Sequence, residues 1–201
     1  MTRKTIPIRA GALIQLKQAV NRVVPFDAKV LDVGAGLCGK YQESVALRAG
    51  RYVMVDAHGR YLDENTVRAE KVVGVVPAAL KQFEPGSFDV ALAIDFIEHL
   101  SVDDAYATLK ELTRVAHTTA LFTPEGWYDQ HDTDVYRMGG EHWQTHRSGW
   151  TADDLEELGF DVEIWGGFHL DYAPAGAVTR GNNKIPPGAS PNALWAVRRT
   201  T

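Results

Sequence analysis

The sequence predicts an α/β fold, a layered sandwich around a mainly parallel sheet, and three observations carry that expectation. Short apolar, β-branched stretches recur along the chain, most of them closed by an aspartate, glycine or proline. Between several of them lie segments whose apolar residues repeat at helical spacing. The last two apolar stretches are separated only by a loop, which asks for an antiparallel pair at one edge of the sheet.

The elements follow in order. Ile8–Val24 places Leu13, Leu16, Val20 and Val24 on one side of a helix that Pro25 ends, so residues 1–25 are read as an amphipathic N-terminal helix. Such a helix suits a lid, a dimer surface or a core element. Strands are expected at Lys29–Val33, Tyr52–Val55, Lys71–Val76, Phe88–Ile94 and Thr119–Thr123. Ser101-Val102-Asp103-Asp104 opens a helix whose inner face is Ala105, Leu109, Leu112 and Val115. Thr151-Ala152-Asp153-Asp154 opens a second, shorter one that stops at Gly159. Asp161–Trp165 and Ala193–Val197 complete the strands, joined by the Gly/Pro/Asn-rich loop Gly166–Pro191.

Composition bounds the function. At about 150 residues per domain, 201 residues make one domain, and 45% hydrophobic with 23% charged residues exclude wholesale disorder. Cys38 is the only cysteine, so neither an internal disulfide nor a cysteine-based zinc site is expected. No apolar run is long enough to span a bilayer, and Met1–Ala10 lacks the core of a signal peptide, so a cytoplasmic protein without membrane contact is expected. A net charge of −5 disfavours a broad electrostatic grip on nucleic acid.

The strongest local signal is Val30-Leu31-Asp32-Val33-Gly34-Ala35-Gly36-Leu37-Cys38-Gly39, a strand running into a glycine turn. Glycine suits a turn with unusual dihedrals where a ligand approaches the backbone. Gly34, Gly36 and Gly39 spell G-x-G-x-x-G, and Asp56 follows Gly36 by 20 residues, as in a dinucleotide site. Asp32 points elsewhere. A carboxylate two residues before the first glycine repels a pyrophosphate but attracts an ammonium or sulfonium group. S-adenosylmethionine carries both, and Asp56 is placed to accept hydrogen bonds from two ribose hydroxyls.

With these residues the chain resembles the class I S-adenosylmethionine-dependent methyltransferases, especially the small-molecule branch often called type 11. Val30–Gly36 looks like that family's first motif, and Tyr52-Val53-Met54-Val55-Asp56 like its ribose-binding strand. Ser87–Val90 through Asp95-Phe96-Ile97-Glu98-His99-Leu100 is similar to its fourth strand and following turn, and His146-Arg147-Ser148-Gly149-Trp150 to a downstream feature of some members. The resemblance implies a Rossmann-like three-layer sandwich, with a seven-stranded, mainly parallel sheet and an antiparallel last strand. It implies Asp32, Gly34 and Gly36 at the methionine end of the cofactor, Asp56 at the ribose and Asp95 at the mouth. Two departures stand out: Cys38 occupies the usual third-glycine position, and Gly74-Val75-Val76-Pro77-Ala78 offers no acid to the adenine amino group. Val76, Pro77 and Ala78 are therefore expected to hold the adenine through backbone groups and apolar contact.

Methyl transfer from a sulfonium is an in-line displacement, so the protein must align a nucleophile, exclude water and sometimes take a proton. The 124–150 segment, long for a connection, holds three of the five tryptophans and three of the seven histidines. It is read as an inserted acceptor-side lid, with Trp127, Tyr128, His142 and Trp143 around a small polar acceptor. His131, His146 and, beyond the fourth strand, His99 are the candidate bases. The bland reading of the same residues is a surface insertion packed on the sheet edge. His131, Asp132, His142 and His146 also offer metal ligands, but the nearby glycines disfavour the helix that would align His142 with His146, and no metal is expected. Tyr106-Ala107-Thr108-Leu109-Lys110 has a reductase-like spacing in the wrong place. The expectation is methyl transfer to an oxygen or nitrogen of a small molecule. The alternatives are a noncatalytic methyltransferase-like subunit that binds a protein partner, or a nicotinamide-dependent reductase.

Overall fold

The computed structural model describes residues 4–8, 11–37, 39–131, 133–171 and 188–200. Eight strands form one sheet: β1 (Lys4–Pro7), β2 (Lys29–Val33), β3 (Arg51–Asp56), β4 (Glu70–Val73), β5 (Phe88–Ile94), β6 (Ala116–Pro124), β7 (Asp161–Gly166) and β8 (Ala193–Arg199). Their order is β1-β7-β8-β6-β5-β2-β3-β4, and β8 alone runs against its neighbours, antiparallel to both β6 and β7. The antiparallel last strand is as expected, but the strand count is eight among the described residues rather than seven.

The additional strand is β1, which pairs in parallel with β7 through Lys4 opposite Glu163 and Ile6 opposite Trp165. It therefore covers the edge at which the β7–β8 pair was expected to end. The N-terminal helix is correspondingly shorter than its sequence pattern: α1 spans Ala12–Val23, entered from Gly11 at φ 87°. The 1–25 reading as helix thus holds only for its second half. Lys4-Thr5-Ile6-Pro7 contains one half-buried apolar residue, too little periodicity to separate a strand from a helix start.

The remaining helices are α2 (Lys40–Ala46), α3 (Gly59–Glu64), α4 (Val102–Val115), α5 (Glu141–Gln144), α6 (Ala152–Glu157) and α7 (Phe168–Asp171). The hydroxyl of Ser101 accepts from the Asp104 amide and starts α4, while Thr151 does the same for α6 through Asp154. Alternate residues of each strand feed two cores. On one face α1, α2 and α3 bury Leu16, Val20, Val45 and Leu62 against Val30, Met54, Leu92 and Phe122. On the other α4 and α6 bury Leu109, Leu112 and Leu155 against Leu31, Val53, Ala91 and Leu121. Each of these buried leucines contributes about 1.5–3 kcal/mol relative to exposure.

The consequence for function lies in the strand order. β2 has β3 on one side and β5 on the other, so the chain leaves adjacent strands in opposite directions. That arrangement opens a crevice beyond the carboxyl ends of β2 and β5, where open α/β sheets bind ligands. β2 delivers Gly34 there, and β5 delivers Asp95.

Candidate active site

A cavity of about 580 Å³ occupies this crevice. Its floor is the glycine turn after β2. Gly34 sits at φ +68°, and a Cβ on it would overlap the Phe96 ring, so the turn and the start of the β5 exit interlock only around glycine. Gly36 donates its amide to Asp56 at 2.8 Å, and His58 donates its own to the other oxygen of the same carboxylate at 2.8 Å. Asp56 is thereby fixed on the cavity wall with lone pairs left for further donors. Burial raises its pKa, opposed by the two amide hydrogen bonds.

Asp32 is placed differently from the expectation that it faces the cofactor. It is completely buried and does not line the cavity. Its carboxylate accepts from the Tyr52 hydroxyl at 2.6 Å, and from Tyr41 and Gln42 at 3.3 Å each. Tyr41 does line the cavity, so Asp32 acts on the site through that ring and through Gln42, which also binds the Ala35 carbonyl at 2.6 Å. Burial pushes the Asp32 carboxyl up to about 6, against the lowering effect of these donors. The period-2 alternation of β2 explains the placement: Asp32 shares the face of Val30, beneath α2, while Val33 faces α4.

On the third side the wall is made by Gly74, Val75 and Val76. Pro77 and Ala78 turn away into a 3-10 turn at Ala78–Gln82 and do not line the cavity, which corrects that part of the adenine expectation. β4 stops at Val73, three residues before the expected end at Val76. Asp95 borders the cavity at φ +49°, a left-handed conformation rare outside glycine, with its amide held by the Phe122 carbonyl at 2.9 Å. Burial raises the pKa of Asp95 and of its buried neighbour Glu98.

The 124–150 segment supplies the far wall, and it does so through long-range stitching. The amides of Arg147 and Ser148 both donate to the Glu98 carbonyl, at 2.7 and 3.1 Å. Ser148 Oγ donates to the Ile97 carbonyl at 3.1 Å, and Trp150 Nε1 donates to Ser148 Oγ at 2.9 Å. The Arg147 guanidinium donates to the carbonyls of His99 and Thr145 at 2.8 and 3.0 Å. Gly149 passes so close to Trp127 that a Cβ would lie 2.8 Å from its backbone. These contacts bring His146 against His99, with ring centroids 4.7 Å apart. Burial lowers the His99 pKa to about 3, with His146 next to it as a smaller cause, and burial also lowers His146. Both imidazoles are neutral at pH 7.

Of the acceptor-side candidates, Tyr128, Trp143, His146 and His99 line the cavity, whereas Trp127, His131 and His142 do not. Trp127 is half exposed beside a separate shallow depression shared with Glu125 and Asp129. His131 is exposed and faces Asp129 at 3.2 Å, and His142 is exposed with its ring edge on Trp143. α5 ends at Gln144, so no helix face joins His142 to His146. Cys38 and Asp132 lie outside the described residues. Tyr106 packs edge-on against Trp150, as a boundary residue does.

The cavity also takes in residues the sequence did not single out. Leu13 and Leu16 reach it from α1, Tyr61 from α3, Tyr136 from the 124–150 segment and His169 from α7. Tyr61 Oη and His169 Nε2 are buried without a hydrogen-bond partner among the described residues. Burial lowers His169 to about 4. Glu98 was legible as the neighbour of His99, but its burial at the cavity was not.

Residues 31–122, which run from β2 to β6, match the family model described as a methyltransferase domain. S-adenosylmethionine is the cofactor that this class implies. A SAM-dependent methyltransferase from Archaeoglobus fulgidus is 16% identical, with a TM-score of 0.60 and 94% of each chain covered. The partner of the Haloferax volcanii Trm112 methyltransferase activator is 17% identical, with a TM-score of 0.59 and coverage of 92% of this chain and 88% of that one. The small RNA methyltransferase HEN1 is 14% identical, with a TM-score of 0.56; all of this chain aligns with 27% of that one. At these identities the similarity is one of fold. No curated protein matches the sequence.

Proposed function

We propose that this chain transfers a methyl group from S-adenosylmethionine to an oxygen or nitrogen of a small polar acceptor that carries no strong negative charge. The observation that carries this reading is the lining of the cavity. It runs from the glycine turn and Asp56 to Tyr128 and His146 and includes Asp95, Glu98 and Asp134, yet no lysine or arginine among the described residues. A phosphate-rich acceptor needs basic partners, whereas a hydroxyl or amine is compatible with carboxylates and neutral imidazoles.

The residues fit the cofactor. A Cβ on Gly36 would meet no atom nearer than 3.9 Å, so the turn presents open space rather than packed side chain. The Tyr61 hydroxyl, on the same wall, has no hydrogen-bond partner among the described residues. Gly34 and Gly36 hold the methionine end, Asp56 the ribose and Gly74–Val76 the adenine, while Tyr41 and Asp32 support the turn. When bound, the sulfonium supplies an electrophilic methyl carbon and a neutral thioether as leaving group. Tyr128, Trp143 and His146 shape the acceptor side, where the attacking atom meets the methyl group.

Calorimetry with S-adenosylhomocysteine, followed by measurement of its release from S-adenosylmethionine with uncharged polyols, amines and RNA oligonucleotides in parallel, tests the reading. Binding with turnover on uncharged small molecules is expected. Turnover on RNA alone overturns the acceptor class, and binding without turnover on any acceptor supports a noncatalytic subunit instead.

A further inference from the structure

The pair of histidines that the 146–150 stitching brings together has a third member. Glu98, His99 and His146 each offer a ligand atom, and these atoms all lie within 4.8 Å of one another at the cavity wall. We propose that Glu98, His99 and His146 form a binding site for a first-row divalent transition ion, open toward the acceptor.

The outer partners of the three side chains support this assignment. Metal-bound histidines characteristically donate their second ring nitrogen to a carbonyl or carboxylate, which sets the tautomer and the ring angle. His146 Nδ1 lies 2.6 Å from the Tyr128 carbonyl, and His99 Nδ1 lies 3.4 Å from the Thr145 carbonyl. A carbonyl accepts only, so the short contact at His146 puts the proton on Nδ1 and leaves a lone pair on its Nε2. Glu98 is oriented as well: Thr123 Oγ1 donates to its Oε2 at 2.9 Å, and the Phe96 amide also donates to the carboxylate. Glu98 is 3% exposed and has no ion-pair partner among the described residues. A buried carboxylate without a cation nearby is costly, and a bound ion removes that cost.

Ligands about 2.0–2.2 Å from an ion stand within roughly 4 Å of one another, so the three atoms close on an ion with shifts of about an ångström or less. Two imidazoles and one carboxylate suit manganese, iron, cobalt, nickel or zinc better than magnesium or calcium, which favour oxygen alone. Three protein ligands leave further positions, and those face the cavity where Tyr128 and His169 stand. Resting on the methyl-transfer reading, this favours a hydroxyl acceptor. The hydroxyl oxygen becomes a ligand of the ion, its proton passes to water, and the C–O bond forms as the methyl–sulfur bond breaks and the thioether leaves. The ion is neither oxidised nor reduced.

The test is calorimetric titration of chelator-treated protein with Co²⁺, Zn²⁺ and Mg²⁺, with the visible absorption of bound Co²⁺ as a second readout. One Co²⁺ or Zn²⁺ per chain is expected, bound more tightly than Mg²⁺. Glu98→Gln and His146→Asn should each weaken Co²⁺ binding by more than about 100-fold, whereas H131A and H142A should leave it unchanged. S-adenosylhomocysteine affinity, measured on the same samples, reports that each variant is folded. Failure of the wild type to bind Co²⁺ or Zn²⁺, or equal binding by wild type and His146→Asn, overturns the site. Loss of metal binding with S-adenosylhomocysteine binding retained in the wild type sinks the metal alone. Metal binding without S-adenosylhomocysteine binding sinks the methyl-transfer reading instead.

Discussion

The two walls of the cavity are built by opposite means. The cofactor side is local: Gly34, Gly36 and Asp56 come from two adjacent strands and their turns, and one amide-to-carboxylate bond from Gly36 ties them together. The acceptor side is assembled at long range, by hydrogen bonds from Arg147 and Ser148 to Ile97, Glu98 and His99. The first wall depends on backbone dihedrals that glycine permits, and the second on whether two distant segments stay in register. Variants in the two walls should therefore separate cofactor affinity from turnover.

The largest effect should come from the cofactor wall. In Gly34→Ala the new Cβ meets the Phe96 ring at a residue with φ +68°, and S-adenosylhomocysteine affinity should fall by more than about 100-fold, close to 3 kcal/mol. Near-wild-type affinity in calorimetry would separate that turn from the ligand. Next, Gly149→Ala drives a Cβ against the Trp127 backbone and should shift the segment that carries His146. Turnover should drop roughly 10- to 100-fold while S-adenosylhomocysteine affinity stays put; equal loss of both would merge the two walls into one unit. Asp56→Asn keeps one acceptor oxygen and should weaken S-adenosylhomocysteine by about tenfold, the value of a charge-assisted hydrogen bond.

A smaller, pH-dependent effect distinguishes Asp32 from the residues that line the cavity. Its folded pKa is about 6 against an ordinary 3.8, because burial disfavours the charged form. The stabilisation that this raised pKa contributes is full below about pH 4 and is lost as the pH rises through about 6. Asp32→Asn removes the titration, so the stability of wild type relative to variant should decline by up to about 3 kcal/mol from pH 4 to pH 7. Urea unfolding of both proteins at several pH values reads this directly, and a flat difference would show that Asp32 is not the buried group. H131A and H142A should change neither affinity nor turnover by more than about twofold, since exposed side chains remote from the site contribute little.

The local wall was the legible one. Lys29–Val33 and Phe88–Ile94 are strands with the bounds that their apolar runs suggest, because both are buried on two faces. The Gly34–Asp56 relation was readable because it depends on spacing along one strand–helix–strand unit, β2-α2-β3. The orientation of Asp32 was not: its role depends on Tyr41, Gln42 and Tyr52, whose convergence only the packed structure displays. The acceptor wall was legible as a region but not residue by residue. Seven polar or aromatic side chains between Trp127 and His146 looked alike in sequence, and the stitching to Glu98 decides which of them turn inward. β1 escaped notice for a related reason, since a four-residue edge strand takes its identity from its partner β7 rather than from its own pattern.

The central claim is that the Gly34–Asp56 wall holds an adenosyl cofactor through the ribose and methionine ends and not a dinucleotide. Parallel calorimetry of the wild-type protein with S-adenosylhomocysteine and NADH tests it most directly. The account predicts one S-adenosylhomocysteine bound per chain, weakened by Asp56→Asn, and no heat from NADH. Binding of NADH with none of S-adenosylhomocysteine would contradict it.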